Sequence, residues 1–127
     1  MLVFDASALV AVLDGKHDRH AHWAARFAGG VDRGDVWVTS FALCAVDSWF
    51  GSAAADARSS FWRGALEGLN VIWVGPSTVE FALRDCRPGE SMEASIARVV
   101  ATQLGGELAS DAVLRSAGEM ESSKQGG

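Results

Sequence analysis

The sequence lacks an excess of basic residues, and this narrows the kinds of partner that it can bind. Lys and Arg together number 11 against 16 Asp and Glu, which gives a formal net charge of -5 at pH 7. Proteins that bind nucleic acid over an extended surface usually carry a basic excess, because neutralising phosphates supplies much of their affinity. A nucleic-acid substrate would therefore have to be bound locally, through a metal ion or with help from a partner chain.

The sequence also has few cysteines and no long hydrophobic run. Its two cysteines, Cys44 and Cys86, have no metal-type spacing, which favours a reducing setting. Cys44 lies inside an apolar helical run, so we expect a buried thiol there. No apolar stretch is long enough for a membrane span, and no charged leader precedes an apolar region at the N-terminus. We therefore expect a cytoplasmic protein with no membrane partner.

The 127 residues alternate between strand-like and helix-like segments, and their number suits a single domain. Short apolar runs predict strands at 2–4, 36–39, 70–75 and 107–110. Helical spacing predicts helices at 8–13, 20–28, 41–50, 54–69, 76–85, 92–104 and 111–117, and "GGVDRGD" reads as a loop. Thr39 or Ser40, Ser91 and Pro76 are typical of helix starts. The pattern predicts an α/β fold, a short central parallel sheet of four to five strands with helices on both faces.

Two aspartates follow predicted strands at opposite ends of the chain. Asp5 ends the first strand and Asp111 follows the last. Because ligands bind outside the carboxyl ends of parallel strands, both carboxylates should lie at the edge where a cation would be held. Either aspartate could instead simply cap the helix that it precedes, and both roles can coexist.

Four segments, in order and spacing, resemble the pattern of PIN domains, and in particular the VapC-type toxins of bacterial toxin–antitoxin pairs. The segments are "VFDASALVAVLD", "VTSFALCAVDSWF", "SMEASIARVVATQLG" and "ELASDAVLRSAG". The resemblance runs from Leu2 to about Gly118, so we expect a PIN-like domain over 1–118 and a flexible polar tail over 119–127. It implies a metal-dependent ribonuclease that hydrolyses RNA with Mg²⁺ or Mn²⁺. It also implies a homodimer and a cognate antitoxin that covers the acidic site.

The resemblance assigns roles to particular residues. Asp5 and Asp111 match metal-ligating aspartates, and Glu93 stands where the family usually has aspartate; these three are the predicted catalytic and metal-binding residues. Ser7 and Ser110 are predicted to support the site. Ala45 stands where the family has a glutamate, and an alanine cannot bind a metal. Asp47 is no obvious substitute, because two residues along a helix turn a side chain by roughly 200°.

Other interpretations of the same residues remain open. Ser7 could be an ordinary serine at a helix start, and Glu93 a first-turn glutamate favoured by the helix dipole. His17, His20 and His22 do not share one helical face, so we expect solvated side chains rather than a zinc site. The five tryptophans, which lie in apolar runs, should pack in the core or at a dimer interface.

The sequence leaves one alternative function open and argues against another. Because Ala45 removes a usual carboxylate, the chain could be a catalytically weakened or inactive PIN-fold module that acts by binding an antitoxin or another partner. A phosphoacceptor domain would need adjacent acidic residues after the first strand and a lysine after the last, and the sequence has neither.

Overall fold

The computed structural model describes the backbone of residues 1–125 and the side chains of residues 1–118. The strands are β1 (Leu2–Phe4), β2 (Val36–Thr39), β3 (Asn70–Ile72) and β4 (Glu107–Ala109). The helices are α1 (Ala6–Leu13), α2 (His20–Asp32), α3 (Ser40–Phe50), α4 (Ala55–Gly68), α5 (Pro76–Arg84), α6 (Met92–Leu104) and α7 (Asp111–Gln125), with a 3₁₀ turn at Ser52–Ala54.

The four strands form one parallel sheet in the order β3-β2-β1-β4. Phe4 in β1 is level with Val38 in β2 and with Ala109 in β4. The carboxyl ends of these three strands therefore lie side by side. This confirms the predicted parallel sheet, and it places Asp5 and Asp111 after neighbouring strands at the same edge.

Alternate residues of the strands pack into two hydrophobic cores on opposite faces of the sheet, because successive side chains of a strand point to opposite faces. Leu2 and Phe4 pack into a core built with residues of α1, α2, α3 and α4. Val3 points to the other face, into a core built with residues of α5 and α6. Helices therefore cover both faces of the sheet, as the sequence predicts.

The residues that the sequence predicts at helix starts do begin helices in the structure. The side chains of Asp5, Thr39 and Ser91 each accept a hydrogen bond from the backbone N–H three residues further on. These bonds satisfy donors that the first turn of a helix leaves free. Pro76 opens α5, and Gly105, in the left-handed conformation with φ 67°, ends α6.

Two local predictions are wrong. The predicted loop "GGVDRGD" belongs mostly to α2, which continues to Asp32 because Gly30 lets the helix approach β2. Cys44 is exposed rather than buried, because α3 turns one side to solvent even though its sequence is almost wholly apolar.

The C-terminal helix is longer than predicted, since α7 reaches Gln125 rather than ending near Ala117. The side chains of the predicted tail, 119–127, lie outside the described residues, so its flexibility stays a prediction. Over the part of the chain that the structure describes, no helix has the length and apolarity needed to cross a membrane.

The close approach of α2 to β2 predicts different effects for two adjacent glycines. A Cβ added at Gly30 would lie 2.6 Å from Cγ2 of Val36, whereas one added at Gly29 would come no closer than 3.4 Å, to the flexible end of Arg33. We expect Gly30→Ala to lower the free energy of unfolding by about 1–3 kcal/mol. Gly29→Ala should leave it unchanged or raise it by about 0.5–1 kcal/mol. Urea unfolding of both variants tests this, and equal effects would contradict the packing described here.

Candidate acidic site at the sheet edge

Asp5 is held at the junction between β1 and α1, where its side chain is almost fully buried, with 1% exposure. Its Oδ1 accepts hydrogen bonds from Ser7 Oγ at 2.6 Å and from the Ala8 backbone N–H at 3.0 Å. Burial raises the pKa of the Asp5 carboxyl, and hydrogen bonds from Ser110 and Ser7 partly oppose that rise. Ser7 and Ser110 therefore both support the carboxylate, and their Oγ atoms lie 3.4 Å apart.

Glu93 reaches the same junction from the first turn of α6. Its Oε1 accepts a hydrogen bond from the backbone N–H of Ala6, at 2.9 Å. Burial, and then the nearby charge of Asp5, raise the pKa of Glu93 to about 7. The structure thus brings two of the three predicted metal-binding carboxylates together, although 88 positions separate them in the sequence.

A cleft of about 470 Å³ opens beside Asp5. One side is formed by residues that follow β1 and β4, among them Asp5, Ser110 and Ala112. The facing side is the loop between α5 and α6, residues 85–91, which contributes Arg87, Glu90 and others. An acidic group therefore lies at a concave surface of a size that suits a small ligand or one part of a larger one.

The third predicted carboxylate, Asp111, is bound by side chains of the α1–α2 loop and α2. Trp23 Nε1 donates to its Oδ1 at 2.9 Å, and Arg19 donates from Nε to Oδ1 and from Nη2 to Oδ2, the latter at 3.0 Å. His17 Nε2 lies 3.4 Å from Oδ2. Arg19 in particular holds the pKa of the Asp111 carboxyl down at about 2. Asp111 thus shares the sheet edge with Asp5 but is engaged by the α1–α2 loop and α2.

The carboxylates do not form a cluster of three. Within the described residues, no group of three or more His, Cys, Asp and Glu side chains is arranged so that it could hold a metal ion. The oxygens of Asp111 instead accept hydrogen bonds from Arg19 and Trp23.

Ala45 lies half-buried near the middle of α3, a helix that contacts both α1 and α6. Its methyl group has no oxygen with which to bind a metal ion. Asp47 turns towards α4 instead, where its Oδ1 accepts a hydrogen bond from Trp62 Nε1 at 2.9 Å and lies 3.4 Å from Arg58 Nε. The side chain two residues along therefore has other partners in the structure.

Sequence reasoning missed the residues that surround Asp111. Arg19 is 92 positions away, and no spacing or motif connects the two. His17 and His20 are half-buried rather than solvated: His17 approaches Asp111, and His20 Nδ1 lies 2.9 Å from the carbonyl oxygen of Ala11. Only a three-dimensional arrangement of the α1–α2 loop could have revealed these contacts.

The architecture is that of a PIN-like fold, a single α/β domain with a four-stranded parallel sheet. Among solved structures, the chain is similar to VapC20 of Mycobacterium tuberculosis, described as a Sarcin-Ricin loop cleaving toxin. The TM-score is 0.67 at 18% sequence identity, over 84% of this chain and 85% of that chain. No protein-family model matches this sequence. No curated protein matches it either. The structural likeness establishes the fold and confirms the expected architecture.

The raised pKa of Glu93 predicts a specific dependence of stability on pH. When a chelator keeps metal ions out of the buffer, the Glu93 carboxyl ionises near pH 4.5 in the unfolded chain and near pH 7 in the folded one. The folded state therefore loses stability, relative to Glu93→Gln, as pH rises from about 4.5 to 7, by at most about 1.4 kcal/mol per pH unit. Urea unfolding of both proteins from pH 4 to 8 measures this. Parallel stability curves across that window would contradict it.

The lowered pKa of Asp111 predicts the opposite dependence. The carboxyl titrates near 3.8 in the unfolded chain and near 2 in the folded one, so its contribution is complete above pH 3.8 and is lost as pH falls towards 2. Asp111→Asn should lower the melting temperature by a few degrees at pH 7, and the deficit should shrink below pH 3.8. The exposed Asp56→Asn in α4 is the matched control, and an equal loss in both variants would contradict the role given to Asp111.

Proposed function

We propose that this chain is a metal-dependent endoribonuclease, the toxin of a type II toxin–antitoxin pair, that hydrolyses RNA phosphodiester bonds in the cytoplasm. The observation that carries the proposal is a pair of carboxylates. Asp5 is buried and lines a cleft beside the carboxyl ends of β1 and β4, and Glu93 is half-buried and binds the Ala6 backbone N–H next to it. The resemblance of four sequence segments to VapC-type PIN domains supports the same function.

The pair suits one Mg²⁺ or Mn²⁺ ion. Hard divalent cations prefer oxygen ligands, and Mg²⁺ is commonly bound by one or two carboxylates together with waters and substrate phosphates. The Asp5 charge helps to raise the pKa of Glu93, so a cation that lies between the two would relieve their repulsion. Asp5 and Glu93 would hold the ion. When bound, it would lower the pKa of a water molecule and stabilise charge on the phosphate.

The chain's own residues fix the geometry of this site. Ser7 and the Ala8 backbone N–H hold Asp5 Oδ1, while the Ala6 N–H holds Glu93 Oε1. These bonds leave lone pairs of each carboxylate for further ligands, because each oxygen accepts more than one bond. The site is therefore positioned in advance of RNA binding, which lowers the cost of ordering it.

A direct ligand role for Asp111 stays a prediction of the resemblance. Its two oxygens already accept hydrogen bonds from Arg19 and Trp23. In the present proposal Asp111 fastens the α1–α2 loop to the start of α7. Asp5 and Glu93 hold the ion.

The proposed partners are a cognate antitoxin and a second copy of the chain. The net charge of -5 suits an inhibitor that brings arginine to the acidic cleft. Three large apolar side chains that follow β3 in the sequence are exposed: Trp73, Phe81 and Leu83. They support a protein interface of the kind that a homodimer needs.

Cleavage of RNA in the presence of Mn²⁺ tests the proposed function. Wild-type chain should cut total RNA, while Asp5→Asn and Glu93→Gln should each lower the rate at least about 100-fold, since even supporting residues of metal sites cost 10- to 100-fold. Ala45→Glu should raise the rate by restoring a carboxylate on α3. Manganese binding, followed by electron paramagnetic resonance, should weaken in the first two variants.

The control is Asp56→Asn, the same chemical change at an exposed position on α4, away from the cleft. It should cleave RNA at the wild-type rate. If wild-type and Ala45→Glu chains both fail to cut RNA and to bind Mn²⁺, the proposal is wrong.

A further inference from the structure

The loop between α5 and α6, residues 85–91, forms one wall of the acidic cleft and is fastened by a single side chain. Arg98, on α6 and only 13% exposed, donates to both carboxylate oxygens of Glu90 at 2.8 Å. It also donates to Asp85, at 2.7 Å to Oδ2 and 2.8 Å to the carbonyl oxygen. The two ends of the loop are thus bound to one guanidinium, and the loop has a fixed shape without a ligand.

This arrangement changes the charge that the wall presents to the cleft. Glu90 lines the cleft, but its carboxylate is paired twice with Arg98, which is the main reason that its pKa falls to about 2. Its Oε1 also accepts a hydrogen bond from the backbone N–H of Arg87, at 3.1 Å. That bond holds the Arg87 backbone in place and leaves its guanidinium free to extend.

Arg87 is exposed. Of the described residues that line the cleft, it is the one that carries a positive charge. Over residues 1–118, its guanidinium makes no salt bridge. Asp5 lines the same cleft. A positive group that makes no salt bridge within residues 1–118 and a buried carboxylate thus line one concave surface, in a chain whose net charge is negative.

We propose that the 85–91 loop is an RNA-binding arm in which Arg87 binds a phosphate next to the one that is cut, with Arg98 as its positioning residue. This inference rests on the proposed ribonuclease function. Arginine suits the task, because its planar guanidinium donates two parallel hydrogen bonds to phosphate oxygens. It would also offset locally the repulsion between RNA and an acidic protein.

The first test compares Arg87→Gln with Arg84→Gln. Arg84 is an exposed arginine at the end of α5, outside the cleft, so its replacement removes the same charge from the chain. We expect Arg87→Gln to raise the KM for RNA about tenfold, the loss of one charge-assisted hydrogen bond, while kcat stays within about twofold. The salt dependence of log(kcat/KM) should become shallower by about 0.7–1. Arg84→Gln should change none of these quantities.

The outcomes separate this proposal from the proposed function. If wild-type chain cuts RNA and the two variants behave alike, the RNA-binding arm is wrong and the ribonuclease stands. If neither the wild-type chain nor Ala45→Glu cuts RNA or binds Mn²⁺, both are overturned.

The second test concerns the positioning role. Arg98→Met should raise KM as Arg87→Gln does, and the double variant should be no worse than either single one, because the two residues act as one unit. Additive effects would overturn the positioning role. Should Arg98→Met fail to fold, as circular dichroism would reveal, Arg98→Lys replaces it, since lysine keeps the charge but cannot bind Glu90 with two parallel donors.

Discussion

The burial of the Asp5 carboxylate at the junction of β1 and α1 is the constraint on which the rest of the structure depends. Three elements meet at this point: α1, whose first turn Asp5 caps; the end of β4, from which Ser110 reaches it; and α6, whose Glu93 binds the Ala6 backbone N–H. An unsatisfied carboxylate would be costly to bury, so these contacts must form together. The same hydrogen bonds therefore set the fold locally and shape the candidate site.

The carboxylates near the sheet edge divide into two groups according to their neighbours. Asp111 and Glu90 each face an arginine, and their pKa values fall to about 2. Asp5 and Glu93 make no salt bridge among the described residues; burial raises the pKa of both, and the charge of Asp5 adds to the rise for Glu93. Carboxylates held close together destabilise the folded state, and groups with strongly shifted pKa values are enriched at functional sites. The arginines thus neutralise acidic groups around the site, whereas Asp5 and Glu93 have no cationic partner among the described residues.

The sequence predicts well those features that depend on neighbours along the chain. The strand period, the caps at Thr39 and Ser91, and the parallel order that brings Asp5 and Asp111 to one edge all follow from local patterns. The direction of the Asp111 side chain does not, because it is decided by Arg19 and Trp23, which are remote in sequence. The prediction of a loop around Gly30 was wrong for a related reason. Glycine is typical of loops, but here its missing side chain lets α2 pack against Val36. Such features depend on tertiary packing, which a single sequence does not reveal.

On the proposed function, alanine at position 45 would have two opposing effects. It lies on α3, which contacts both α1 and α6. A glutamate there would add a negative charge to a helix that packs against the two helices at whose starts Asp5 and Glu93 lie, and burial and then the charge of Asp5 already raise the pKa of Glu93 to about 7. More carboxylates bind a divalent ion more tightly, but they also destabilise the protein without the ion, because like charges in a buried site cannot all ionise. On the proposed function, alanine would lessen the repulsion and would also weaken the binding of an ion. RNA phosphates and Arg87, on the 85–91 loop, would then compensate for the smaller number of protein carboxylates. The ion and the RNA would therefore bind cooperatively.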